Sequence, residues 1–160
     1  MPKVKPIPKG YHAITPGLVV EGADAFIKYC KKAFGAKEIM RMPGPGGSVM
    51  HAELEIGDSR MMVADPNPRG NPPAKALGGT PVTLHVYVPN CDAVCKKAIA
   101  AGGKAIMPVS DMFWGDRYGL VEDPFGNRWG IATHQEDVSP KEMKKRGAEM
   151  MKQMSSGAAG

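Results

Sequence analysis

The sequence predicts an α+β fold: two tandem βαβββ modules forming a cup-shaped, eight-stranded mixed sheet with helices outside, followed by a C-terminal helix. Three observations predict it. The chain repeats itself: Val20-Glu21-Gly22-Ala23-Asp24-Ala25, leading through a helical stretch to Lys37-Glu38-Ile39-Met40, matches Val88-Pro89-Asn90-Cys91-Asp92-Ala93, leading to Lys104-Ala105-Ile106-Met107, at offsets of 68 and then 67. Each half runs from an apolar strand into a helix and then into three short strands separated by turn chemistry. A Pro- and Gly-rich stretch, 66–80, separates the halves, because clustered Pro and Gly can neither pair in a sheet nor continue a helix. The chain therefore divides into a flexible arm (1–10), a first module (11–65), a linker (66–80), a second module (81–134) and a C-terminal amphipathic helix with its tail (135–160).

Within each half the elements follow in order. Residues 12–20 and 82–88 are rich in β-branched residues and precede a helix, as an opening strand would. Ala23, Phe26, Ile27, Cys30 and Phe34 recur at helical spacing until Gly35 ends the run. Cys91, Val94, Cys95, Ala98 and Ile99 do the same before Gly102-Gly103. Pro43 to Gly47 and Gly57-Asp58 punctuate the remaining strands of the first half, and the 110–116 loop and Asp123-Pro124-Phe125-Gly126 those of the second. In the strand around His51, the residues His51, Glu53 and Glu55 alternate with Met50, Ala52, Leu54 and Ile56, so one face is polar and the other apolar. Ser139-Pro140-Lys141-Glu142 announces the last helix: Ser caps, Pro suits the first helical position, and Glu142 is placed to close a capping box. Its Met143, Ala148, Met150, Met151 and Met154 form an apolar side that needs a surface to lie on.

Composition excludes several functions. The formal charge of +5 is carried by the ends, with Lys3, Lys5 and Lys9 in the arm and Lys141, Lys144, Lys145, Arg146 and Lys152 in the last segment, which leaves the body nearly neutral. No basic stripe with interleaved aromatics crosses the folded part, so nucleic acid is not an expected partner. Cys30, Cys91 and Cys95 are odd in number and lack metal-ligand spacing, which reads as reduced, packed thiols. No run of eighteen apolar residues or secretory leader is apparent, so the expectation is a cytoplasmic protein without a membrane partner. Gly44 to Gly47 is no phosphate loop, since neither Lys-Ser/Thr nor a helix follows.

The run Met107-Pro108, then Asp111-Met112-Phe113-Trp114-Gly115-Asp116-Arg117-Tyr118-Gly119, then Asp123-Pro124-Phe125-Gly126, resembles the glyoxalase / bleomycin-resistance / extradiol-dioxygenase superfamily, the vicinal oxygen chelate fold, over about residues 11–134. It is most similar to a glyoxalase-like subgroup carrying phosphonate-operon or demethylubiquinone labels. The resemblance implies, in metal-dependent members, one ligand from the first and one from the last strand of each module, usually His or Glu. Those positions fall here on Thr15, Thr83, Met61 and Gly130, and a hydroxyl, a thioether and a glycine cannot replace imidazole or carboxylate. No metal and no cofactor are therefore expected. A rearranged site using His51, Glu53 and His85 is the alternative, and would make the chain a metal-dependent lyase, isomerase or dioxygenase.

The expected function is to bind a small organic molecule in the cup between the modules, as resistance or sequestration proteins of the resembled family do. Thr15, Thr83 and His85 are candidate contacts on the cup face, and Trp114, Asp116 and Arg117 on the long loop, where indole offers a flat wall and guanidinium can grip an anion. Asp116 and Arg117 have a plainer reading as a pair that pins the loop. His51 and Glu53 are the candidate catalytic residues, set against a simple polar strand face. The resemblance, together with the Met-rich last helix, implies a homodimer.

Overall fold

The structure, a computed structural model, describes residues 4–157; the outermost three residues of the arm, Lys3 among them, and of the tail lie outside the described residues. Both halves contain the expected order of elements. The first consists of β1 (Gly17–Val19), α1 (Ala23–Phe34), β2 (Lys37–Pro43), β3 (Val49–Ile56) and β4 (Ser59–Ala64). The second consists of β5 (Thr83–Tyr87), α2 (Cys91–Ala100), β6 (Lys104–Asp111), β7 (Asp116–Glu122) and β8 (Arg128–His134), and α3 (Pro140–Gly157) follows. The eight strands fall into two four-stranded sheets of the same topology, β1-β4-β3-β2 and β5-β8-β7-β6. In each, the helix carries the chain across to the far edge and two hairpins bring it back. The first strand is thus paired in parallel with the last and the other pairs are antiparallel.

The helices form where the sequence places its apolar stripes. Phe26, Ile27, Cys30 and Ala33 of α1 are buried, and Gly35 adopts the left-handed conformation (φ 66°) that lets its N–H cap the Lys31 carbonyl and the Ala36 N–H cap that of Cys30. No side chain in α1's own sequence caps its start. Asp65, at the end of β4, does so from across the module: Oδ1 accepts the N–H groups of Gly22 and Ala23 at 3.0 Å each, while Oδ2 accepts that of Val49 at 2.7 Å. In α2 the cap is local, with the Asn90 side chain accepting from the Ala93 N–H at 3.0 Å.

The modules share one core. Phe26 meets Phe125 edge-on, with centroids 5.6 Å apart, and Phe34 lies 4.3 Å from Trp129, so rings of α1 interlock with the turn and strand of the second half. Burial of a side chain such as Phe26 contributes about 1.5–3 kcal/mol, which makes separation of the modules costly. Cys30, Cys91 and Cys95 are free and buried in this core. Asp123 organises the turn before β8: its Oδ1 accepts from the backbone of Phe125 and Asn127, and its Oδ2 from the Trp129 indole at 2.9 Å. Burial pushes the Asp123 carboxyl up in spite of these donors.

Two local expectations, the extent of the opening strand and the capping box of α3, need correction, and two of the connections contain 3₁₀ turns. The opening strand is shorter than 12–20, because Thr15 Oγ1 donates to the His12 carbonyl and Pro16 has no N–H for a ladder, so pairing starts at Gly17. The linker contains a 3₁₀ turn, Ala74–Leu77, ended by the left-handed Gly78. A second 3₁₀ turn, Pro45–Gly47, lies between β2 and β3. At the start of α3, Ser139 Oγ accepts the Glu142 N–H at 3.3 Å, but the Glu142 carboxylate turns to Arg146 at 2.9 Å instead of closing the box. Arg146 also grips Glu136 through two 2.8 Å bonds, tying α3 to the end of the second module. Met151 and Met154 remain 73% and 69% exposed.

Candidate functional site

Each sheet buries one face under the helices and turns the other away from them. On β3, Ala52 and Leu54 are buried while His51, Glu53 and Glu55 take the opposite face. On β4 the buried pair is Met61 and Val63, so the residue facing away from the helices is Met62 and not Met61. Strand pairing explains the one-residue difference: Gly17 pairs with Met62 in the first sheet as His85 pairs with Gly130 in the second. Thr15 precedes the first strand altogether. On β5, Thr83, His85 and Tyr87 are exposed and Leu84 and Val86 pack on the core.

In the second module, the face turned away from the helices carries a chain of rings. His85 lies 4.8 Å from Tyr87 and is stacked on Tyr118 at 5.6 Å, and Trp114 meets Tyr118 at 6.1 Å. Behind the rings is Asp116, only 3% exposed. Its Oδ2 accepts the Tyr87 hydroxyl at 3.1 Å and the Trp114 indole N–H at 3.0 Å, and its Oδ1 pairs with His134 Nδ1 at 2.7 Å. His134 Nε2 in turn reaches Asp137 at 2.9 Å. Burial disfavours the Asp116 charge, but the donors His134, Tyr87 and Trp114 outweigh it and hold the carboxyl below the ordinary Asp value. Asp116, then Asp137, raise the imidazole pKa of His134. Burial, and secondarily Asp116, raise the Tyr87 phenol, and burial alone raises that of Tyr118.

Gly130 makes room for this arrangement. A Cβ built on it would lie 2.8 Å from the Tyr118 ring, 2.9 Å from its hydroxyl and 3.2 Å from His85 Nδ1. The phenol thus fills the space into which a side chain at 130 would project.

Arg117 points the other way. Its guanidinium makes a two-bond grip on Asp92 in the first turn of α2, at 2.6 and 2.9 Å, and a 3.0 Å bond to Asp111. It anchors a helix, and adjacent Asp116 and Arg117 lie on opposite faces of β7 as the pleat requires. Of the residues singled out from sequence, His85, Trp114 and Asp116 come together, with Thr83 on the same face of β5. His51 and Glu53 form a separate pair on the first sheet, Nε2 to Oε1 3.4 Å. Beside them Tyr11 stacks under Arg60 at 4.9 Å, and its hydroxyl is shielded from solvent without a well-formed hydrogen bond. Proximity to Glu53 raises the Tyr11 pKa, and Tyr11 in turn leads in lowering that of Glu53.

Sequence reasoning missed Tyr87, Tyr118 and His134. Alternation carried two residues past His85 and Asp116 would have found the tyrosines; no local pattern marks His134, which ends β8. A separate apolar pocket of about 280 Å³ opens between β1, β5 and the linker, lined by Leu18, Val82, Leu84 and Leu77 among others, and touches none of the candidate residues.

The four positions facing away from the helices at the paired first and last strands, Gly17, Met62, His85 and Gly130, offer one imidazole, one thioether and two glycines. These residues do not fit a divalent ion, which needs several imidazole or carboxylate donors. Among the described residues, no group of three or more His, Cys, Asp or Glu side chains is placed to hold one. Nor is any described helix long and apolar enough to cross a membrane.

Paired βαβββ modules define the class, and the chain belongs to the Glyoxalase/Bleomycin resistance protein/Dioxygenase superfamily, whose family model matches residues 11–131. An uncharacterized protein of Mycobacterium tuberculosis is 39% identical over 135 residues, covering 82% of this chain and 79% of that protein. Among solved structures, TioX from Micromonospora sp. ML1 is similar, at 28% identity and a TM-score of 0.62, covering 77% of this chain and 98% of its own. A gene product of Arabidopsis thaliana is also 28% identical, with a TM-score of 0.63, covering 76% and 98%.

Proposed function

We propose that the chain binds a small organic molecule with a planar aromatic part, without a divalent metal, on the ring-lined face of the second module. The observation that carries this reading is the continuous set of rings Tyr87, His85, Tyr118 and Trp114, anchored by a buried carboxylate and packed over Gly130. Rings offer stacking area at low entropic cost, and the phenol and imidazole edges supply a few polar contacts. Thr83, on the same face of β5, adds a hydroxyl at its margin. The His51 and Glu53 pair would face a ligand's other side if it spans both sheets, with Glu53 as the proton acceptor should turnover occur. Residence in the cytoplasm and assembly as a homodimer, with the exposed Met side of α3 as the contact, belong to the same reading; a monomeric mass by light scattering rejects the dimer.

The test is fluorescence and calorimetric screening of planar aromatic compounds against the full chain, repeated with Trp114→Ala and Tyr118→Ala, alongside metal analysis of untagged protein purified without chelator. Binding weakened at least about tenfold by either substitution supports the proposal. Ligands that bind both variants as they bind the parent, or stoichiometric zinc, nickel, iron or manganese required for binding, would overturn it.

A further inference from the structure

The face of the first sheet turned away from the helices, where Tyr11 lies against Arg60 at one side, has a different chemistry. Three of its side chains are thioethers. Strand pairing sets Met42 opposite His51, Met40 opposite Glu53, and Met62 opposite Glu53 from the other side. Which way these residues point is fixed by their neighbours: Arg41, between the two methionines of β2, reaches Asp24 on α1 at 2.7 Å, and its partner Ala52 is fully buried. Met40 and Met42 therefore lie on the side away from the helices, where they are 38% and 42% exposed. Core filling, the usual use of methionine, does not account for them.

We propose that this face binds a soft monovalent cation, Cu(I), between the thioethers of Met40, Met42 and Met62 and the imidazole of His51. Directly opposed side chains on adjacent strands start about 4.5–5.5 Å apart at Cβ, and diagonal neighbours about 7–8 Å; Met42 of β2 is directly opposed to His51, and Met40 of β2 and Met62 of β4 are its diagonal neighbours, so the three flexible side chains can converge over the imidazole of β3 between them. Thioether sulfur is a poor ligand for hard divalent ions and a good one for Cu(I), so the chemistry that disqualifies Met62 in a zinc or iron site qualifies it here. Glu53, 3.4 Å from His51, supplies a balancing negative charge beside the ion. The three thiols that would compete for Cu(I) are sealed in the core, and burial pushes that of Cys95 up to about 11, which keeps it protonated. This inference uses neither the rings of the second module nor their ligand.

The experiment titrates the full, reduced chain anaerobically with Cu(I) in competition with a chromogenic chelator, and with Ag(I) while following methyl resonances of labelled methionine. One ion per chain is expected, with the Met40, Met42 and Met62 methyls moving together. Replacing all three by Leu is expected to weaken binding at least about a hundredfold, whereas replacing Met150, Met151 and Met154 leaves it unchanged. Because the spectra are read on the unaltered protein, a misfolded triple variant does not remove the test. No competition with the chelator, shifts confined to other methionines, or a triple variant that binds as tightly as the parent each overturn the assignment.

Discussion

Asp116→Asn is the substitution that most directly tests how the second module's face is held. The carboxylate accepts from three side chains on three different segments: Tyr87 of β5, Trp114 of the loop before β7, and His134 at the end of β8. An asparagine retains one acceptor oxygen and turns an NH₂ group toward the remaining donor or donors, so at least one bond is lost and none is charge-assisted. Hydrogen bonds to a charged group contribute about 1.5–3 kcal/mol each when buried; discounting for exposed Tyr87 and His134, which water can partly satisfy, leaves about 2 kcal/mol. Urea unfolding followed by tryptophan fluorescence measures this, and a melting shift of about 4–8 °C should accompany it. The pH dependence is a sharper check. Asp116 has a lowered pKa in the fold, so its contribution is present above the unfolded Asp value and disappears as pH falls through the folded one. His134 has a raised pKa, so its contribution is complete below the unfolded His value and is lost as pH rises through the folded one. The parent's advantage over the variant should be widest between about pH 4 and 6.5 and narrow on both sides. A variant within about 0.5 kcal/mol of the parent throughout, or a gap indifferent to pH, refutes the account of the cluster.

Asp65→Ala leaves the N–H groups of Gly22, Ala23 and Val49 without their acceptor and should cost about 2–3 kcal/mol, read by urea unfolding together with faster amide exchange in the first turn of α1. Gly130→Ala forces Tyr118 off its position and should abolish binding of an aromatic ligand while costing about 1–2 kcal/mol, since the ring can swing toward solvent; unchanged ligand affinity would contradict the proposed binding face. Arg117→Ala should lower stability only slightly in urea unfolding, the pair with Asp92 being solvent-screened, and should leave ligand affinity intact because the guanidinium serves α2; a large affinity loss would return Arg117 to the binding site.

The repeat, the helix stripes and the turn residues were legible because each is a local pattern: burial on one face imposes a period of 3.6 or 2, and Gly35, Gly126 and Asp123 act within a few residues of themselves. Register was less legible. The inward last-strand position is Met62 where the resemblance implies Met61, since the two modules' turns before the last strand differ in length and a one-residue slip reverses every side chain. Caps divide the same way: Asn90 can be read beside α2, whereas Asp65, which caps α1, lies more than forty residues from the groups it satisfies.

By itself the sequence determined the doubled βαβββ plan and the family, because hydrophobic period and turn chemistry act between near neighbours along the chain. Only the tertiary structure decided that Asp116 gathers Tyr87, Trp114 and His134, that Arg117 turns away to hold α2, and that Tyr118 occupies the space above Gly130. Those contacts join strands far apart in sequence, and their geometry depends on sheet pairing and pleat, which are settled by the burial of a whole face and not by any residue alone.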